Sequence, residues 1–389
     1  KTREVDGTDA RHMRVYQSVL LNARRLGEQP LSMHLYGQIS GDLADRTSGQ
    51  YDYRIYHAYL AWQSRGKLGL DLMAGRQRVY AGVGTGTIDG VRARARPRSW
   101  IDVVGYAGML TPLVPDDGIG TWDEGNMWGG QVLLDVAETA LSVSYAERAR
   151  APLAYLGPGR FSEIVIQNDS KQFRRLGLDA RREMGRIELY GRLDLDAEDW
   201  DLQEVEAVGH YQATPNLGLS GEFQHREPTL SLNSVLSVFE VSSNQEWAGR
   251  IFYRMNDLIR FSGDVAYVKY DDETSWRIGL GMLVGNGYIG YSRRIGFGGE
   301  NDAFTAAFQH RLTPQWTVKA DGSVSGYRLY ENQSSRDQAL AGSVGLSYRP
   351  RRSLSLDLEG QVLRNKFYSR DARLFLRGSW WFFRRSRGR

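Results

Sequence analysis

Cysteine is absent from this 389-residue chain, which excludes disulfides, thiolate metal sites and haem attachment through a Cys-x-x-Cys-His motif. Long apolar runs are missing as well, and none approaches the ~20 residues that a membrane-spanning helix requires. Histidine is sparse. His12, His34, His57 and His210 show no paired metal spacing. His225 and His310 fall on apolar positions, with Ser220 and Ser234 nearby in sequence, and nothing in the pattern joins them as a lipase pair would have to be joined. The glycine-rich stretch Gly290–Gly299 has no Lys-Ser/Thr ending and opens no helix, so it makes no phosphate cradle. The expectation is a protein without metal, cofactor or catalytic residues. A net charge of +4 without any charge block gives no argument for nucleic acid. No leader is visible at Lys1, so the numbering is expected to begin at or after a cleavage point.

What the chain has is alternation. From Phe304 to Leu312 one parity reads Phe304, Ala306, Phe308 and His310, and the other Thr305, Ala307, Gln309 and Arg311. After Thr313-Pro314-Gln315, Trp316, Val318, Ala320, Gly322 and Val324 oppose Thr317, Lys319, Asp321, Ser323 and Ser325. Leu340, Val344, Leu346 and Tyr348, then Leu354, Leu356 and Leu358, repeat the pattern. A period of two means strand, because successive side chains leave a pleat on opposite faces. A soluble sandwich would alternate similarly. Strands of about ten residues, aromatics such as Trp316, Tyr348 and Trp380 at the ends of apolar faces, and connections alternating short and long favour a bilayer-spanning wall. The 21 Tyr, 10 Trp and 44 Gly suit such a wall, and a composition only 41% hydrophobic suffices when one residue in two meets lipid. The expected fold is all-β: a single closed antiparallel transmembrane β-barrel of about 20–22 strands, with short periplasmic turns and long extracellular loops, in the bacterial outer membrane.

Twenty-one candidate strands run from Met13–Ala23 to Asp371–Phe383 as one domain over 1–389. Leu68–Gln77 and Asp89–Arg96 are among them, with 78–88 left as their link. The odd number leaves the first ~25 residues open, since bacterial barrels prefer even counts: either a preceding strand is cut off or unrecognised, or Arg14–Arg25 lies outside the wall. At the tight turn Met184-Gly185, a two-residue loop pairs Arg181 with Glu188, Arg175 with Asp194, Leu176 with Leu193 and Leu178 with Gly191. A one-residue slip would turn those charges into lipid, at ~2–4 kcal/mol per basic residue.

The polar parity then supplies candidate pore-lining residues: Arg92, Arg94, Arg175, Asp179, Arg181, Glu188, Arg192, Asp194, Glu222, Arg250, Arg254, Lys319 and Asp321. Two readings stand side by side, a lattice of cross-strand ion pairs that stiffens the wall and an arginine ladder that attracts anions. The link Thr111–Asn126 carries Asp116, Asp117, Trp122, Asp123 and Glu124; it is a candidate constriction loop or else an exterior one. Glu227–Asn244 is apolar for a loop and suggests packing into the mouth, a small helix or a partner surface.

From Leu72 to Arg94 the chain reads Leu-Met-Ala-Gly-Arg-Gln, then Asp89-Gly90 followed by Val-Arg-Ala-Arg. This resembles the Gly-Arg-Gln and downstream Asp-Gly strand pattern of Gram-negative porin-like barrels, including alginate-export-type channels. The resemblance covers about twenty residues and implies, at class level, an arginine-rich lumen that conducts anionic solutes or an acidic polymer. Strand parity sets Arg76 with Leu72 and Ala74 and does not place it clearly inside. The expected function is a channel without a chemical step, in contact with outer-membrane lipid. The rival is a barrel that sheathes a periplasmic or luminal partner such as a multihaem cytochrome or lipoprotein.

Overall fold

A computed structural model describes the chain except residues 1, 6–7, 12, 25, 27–29, 44–51, 65, 67, 113–117, 152–154, 158–163, 167–170, 228–242, 329–334 and 383–389, and it describes the backbone alone for the strand residues within 2–11 and 155–172. Among the described residues the secondary structure is β throughout, with 21 strands of ten to fifteen residues. His12, Asp116, Asp117, Ser234 and most of Glu227–Asn244 lie outside the described residues.

The chain divides into two compact units. One spans Arg14–His210 and Glu222–Glu246. Its long strands are β3 (Arg14–Ala23), β4 (Leu31–Asp42), β5 (Asp52–Gln63), β6 (Asp71–Ala81), β7 (Gly84–Arg98), β8 (Ile101–Leu110), β9 (Gly125–Val136) and β10 (Thr139–Arg150). After the short pair β11 (Tyr155–Gly157) and β12 (Ile164–Ile166) come β13 (Lys171–Met184), β14 (Ile187–Asp196) and the first part of β15 (Leu202–Thr214). Neighbours from β3 to β10 pair antiparallel in chain order, then β10 with β13 and β13 with β14.

The other unit contains Lys1–Met13, Tyr211–Gly221 and Trp247–Arg389. It holds most of β17 (Asn244–Arg254), then β18 (Ile259–Tyr270), β19 (Glu273–Val284), β20 (Gly287–Gly296), β21 (Glu300–Arg311), β22 (Trp316–Arg328), β23 (Asp337–Arg351), β24 (Leu354–Arg364) and β25 (Arg370–Trp380). Every step from β18 to β25 is an antiparallel ladder. The outer edge of β25 is covered by β1 (Thr2–Val5), which forms a hairpin with β2 (Thr8–Arg11). The β1–β2 hairpin precedes Arg14–Ala23, which pairs along its whole length with β4.

Two expectations need correction. The β13–β14 turn is Gly185-Arg186, because the residue with left-handed φ is Gly185 (φ 60) and it opens the turn. Asp179 consequently faces Arg192, Gly177 faces Asp194 and Arg175 faces Asp196. The displacement is by an even number of residues, so each side chain keeps its face. The second correction concerns 78–88, which is not a link: β6 and β7 continue through it to a two-residue turn at Gly82-Val83.

Candidate functional site

In both units one face of the strands is apolar and uncovered. Phe304, Val344 and Leu376 are 61%, 62% and 78% exposed, and Leu141, Val143 and Leu178 repeat this in the other unit. Side chains bared over so many strands require apolar surroundings. Aromatics mark the ends of the face. At one set of strand ends Trp316 stacks on Tyr348 at 4.3 Å; at the opposite set Trp276 and Trp247 lie 4.9 and 5.7 Å from Tyr267.

The opposite face is polar, and in the unit containing Arg14–His210 a hairpin covers part of it. β6 pairs with β5 only as far as Arg76, opposite Ala58, although β5 runs on to Asp52. β7 likewise has no β8 partner before Ile88. The segment 77–88 thus leaves the ladder and crosses the polar face of β8, β9, β10 and β13. Val83 donates its backbone N–H to Ser144 Oγ on β10 at 3.1 Å. Gly82 and Gly177 give the tip its room, since a Cβ on Gly82 would strike Ser144 and one on Gly177 would strike Val83. Val79, Ala81 and Ile88 of the hairpin pack with Val104, Tyr106, Leu110 and Met127, and all seven are buried. Fully burying an aliphatic side chain is worth ~1.5–3 kcal/mol, so this cluster holds the tip strongly.

Glycine explains where the hairpin departs. Gly90 lies opposite Gly75 on one side and Gly108 on the other. A Cβ on Gly75 (φ 122) would come 2.9 Å from Tyr59 Cα, and one on Gly108 2.7 Å from Gly90 Cα. Only a row without side chains lets three backbones approach so closely.

Immediately beside that row stands the ion pair of Arg76 with Asp89, directly opposite each other in the ladder. Arg76 Nε and Nη2 donate to the two carboxylate oxygens at 2.7 and 2.8 Å, and both side chains are 7% exposed. Arg76 also donates to the Gly118 carbonyl at 2.7 Å and the Ile55 carbonyl at 3.3 Å. Arg76 shares its parity with exposed Leu72, as the sequence implies, yet it is buried where the bend closes over it. These contacts tie the departing hairpin to β5 and to the link that follows β8.

The predicted polar residues form local groups. Arg94 Nε lies 2.8 and 2.7 Å from the two Asp102 carboxylate oxygens, and its Nη2 donates to Asp102 Oδ2; Arg92 faces Tyr106 across the ladder. Arg192 binds Asp194 at 2.7 and 3.0 Å, with Asp194 1% exposed. Tyr190 donates to Asp179 at 3.2 Å, and Arg181 meets Glu188 at 2.8 Å. The expected Arg181–Glu188 contact is thus made diagonally, not directly across. Arg175 lies over the Phe173 ring at 4.2 Å, and Glu222 is half-buried on β16 (Leu217–Arg226). Arg250, Arg254, Lys319 and Asp321 are exposed. Arg254 donates to the Pro215 carbonyl at 2.8 Å, at a tight turn, and Ser343 donates to Asp321. Trp122, Asp123 and Glu124 are exposed, and the Glu124 carboxylate accepts from its own turn, from Thr121 N–H at 2.9 Å.

Sequence reasoning missed the hairpin tip and the partner of Arg76. It also missed Arg148 and Arg150, which continue the parity of Ser142 and Ser144. Arg148 has no hydrogen bond or ion pair among the described residues, and Arg150 Nε is buried without an acceptor. A signal existed: Gln77, Val79 and Ala81 alternate before Gly82-Val83, and Gly84, Gly86 and Ile88 after it.

No family model matches the sequence, and no curated protein matches it either. Among solved structures, a mutant ferric enterobactin receptor (PfeA) from Pseudomonas aeruginosa is similar with a TM-score of 0.59 at 12% identity, covering 92% of this chain and 73% of that one. The P pilus usher (PapC) translocation pore matches at a TM-score of 0.48 and 8% identity, over 98% of each chain. OccK5 (OpdH) from Pseudomonas aeruginosa matches at 0.43 and 10%, over 95% and 98%. At class level the fold is that of outer-membrane β-barrel proteins.

Proposed function

We propose that the protein is an outer-membrane channel: a closed barrel whose apolar face meets lipid and whose polar face lines a water-filled lumen. The observation that carries this reading is the β6–β7 hairpin, which packs on the polar face while the apolar face stays bare. In β19 the apolar side chains from Trp276 to Val284 cover eight steps, about 27 Å along the strand and roughly 20 Å along the normal at a 40° tilt, close to the apolar band of such barrels. The hairpin narrows the lumen, and the cations of its wall, Arg148 and Arg150 among them, favour small anionic solutes over cations. No step of the passage is chemical.

A folded-in hairpin on the polar face supports a narrowed channel over a sheath filled by a second protein. Planar-bilayer recording of the purified chain tests the reading. Discrete conductance is expected, with anions carrying more of the current, and replacing 78–87 by a short Gly-Ser turn is expected to raise it. A silent protein in every salt would reject the channel, and copurification of a haem-staining or lipidated partner would favour the sheath.

A further inference from the structure

We infer that a polar cavity near the short-turn ends of β4–β7 is a binding site for a small zwitterion, an amino acid or short peptide. The inference rests on the channel reading for its access to solute, but on separate residues. The cavity has a volume of about 670 Å³, within the ~300–1,000 Å³ range of small-molecule sites. Its wall includes Arg24, Ser32, His34, Gln63, Asp71 and Arg96. Ladder pairing sets Gln63 opposite Asp71 and Asp71 opposite Arg94, so three neighbouring strands bring these groups to one face.

The charges are what select the ligand. Arg24 and Asp71 each make no hydrogen bond or ion pair among the described residues, although both line the same cavity. They are not waiting for Asp102, which is already held by Arg94 at 2.7 and 2.8 Å. Arg96 reaches Asp102 through a single 3.3 Å contact and keeps most of its donors. Among the described residues, a guanidinium and a carboxylate without hydrogen bonds, the carboxylate facing Arg94 across the ladder, therefore share one pocket with a second guanidinium that is half engaged. A carboxylate ligand alone would satisfy the arginines and be repelled by Asp71; an amine alone would do the reverse. A molecule carrying both groups satisfies all three, its carboxylate on Arg24 and Arg96 and its ammonium on Asp71. His34 is fixed beside them, its Nδ1 2.8 Å from Asn22 Oδ1 and its Nε2 3.2 Å from Ser32 Oγ. Its ring also stacks on Tyr59 at 4.9 Å, which gives the pocket a rigid wall.

Isothermal titration of the full chain in detergent micelles tests this with three probes: L-alanyl-L-alanine, its N-acetyl derivative and its carboxamide. The dipeptide is expected to bind at least about tenfold more tightly than either blocked form, since each loses a charge-assisted hydrogen bond. Asp71→Asn is expected to abolish the preference over the N-acetyl form, and Arg24→Ala the preference over the carboxamide, with circular dichroism showing that both variants fold. Equal or tighter binding of the N-acetyl form would make the pocket a plain anion site and overturn the inference, as would no heat from any probe. The wild-type series decides even if a variant does not fold. Conductance recorded on the same preparation separates the two claims: current without dipeptide binding removes the site and keeps the channel, and binding without current does the reverse.

Discussion

Breaking the Arg76–Asp89 pair is expected to release the β6–β7 hairpin, and the size of the effect follows from its burial. Both side chains are 7% exposed, and Arg76 donates to both Asp89 oxygens and to the carbonyls of Gly118 and Ile55. Removing one member of a buried pair leaves an uncompensated charge and costs ~3–5 kcal/mol, whereas replacing both by apolar groups is often neutral. Asp89→Leu and Arg76→Met should therefore each destabilise by that amount, and the double variant should recover more than half of it. Urea unfolding in vesicles, followed by tryptophan fluorescence, supplies the three free energies of the cycle. Because the pair sits where the hairpin departs from the wall, each single variant should also open to higher conductance than wild type. Simple additivity, with a coupling below ~0.5 kcal/mol, would refute the reasoning. So would a stable single variant with unchanged conductance.

Adding a side chain at Gly177 tests the hairpin's seat from the other side: Gly177→Val should collide with Val83, raise conductance and leave the β13–β14 ladder intact by circular dichroism. Val344→Arg, on the bare apolar face, should cost ~2–4 kcal/mol of unfolding free energy in vesicles, while Ser343→Arg, one residue away on the polar face, should cost well under half of that. Gly185→Val should lower the unfolding midpoint and Gly185→Asn should not, since φ 60 is tolerated by Asn and strained for a β-branched residue.

Much of the wall was legible because each strand carries its own evidence. The alternation of Phe304, Ala306 and Phe308 against Thr305, Ala307 and Gln309 needs no knowledge of neighbours, and these residues pair in β21 and β22 as that pattern demands. Parity survived even where the register failed. At Gly185-Arg186 the chain has two candidate turns, and the choice rests on which residue takes the left-handed φ, a property that the letters Met-Gly-Arg do not separate. The short strands β1 and β2 escaped for a related reason, since four residues are too few for a period to declare itself.

The site was less legible because it arises where the chain breaks its own rule. From Gln77 to Ile88 the alternation continues, but the same parity that is polar elsewhere carries Val79, Ala81 and Ile88 here. Apolar residues on that face make sense only once the hairpin has folded back onto Val104, Tyr106 and Met127, which lie on strands 16 to 48 residues further along the chain. The glycines at 75, 90 and 108 likewise look like ordinary strand glycines until the ladder sets them in one row. Arg76 and Asp89 show the same dependence: the parity of Arg76 did not place it clearly inside, and the burial of the pair comes from the bend that they themselves stabilise. The resemblance at Gly75-Arg76-Gln77 and Asp89-Gly90 thus falls on the residues that build the bend. That stretch builds the bend in which Arg76 and Asp89 are buried, and the polar-parity arginines Arg92 and Arg94 stand further along β7.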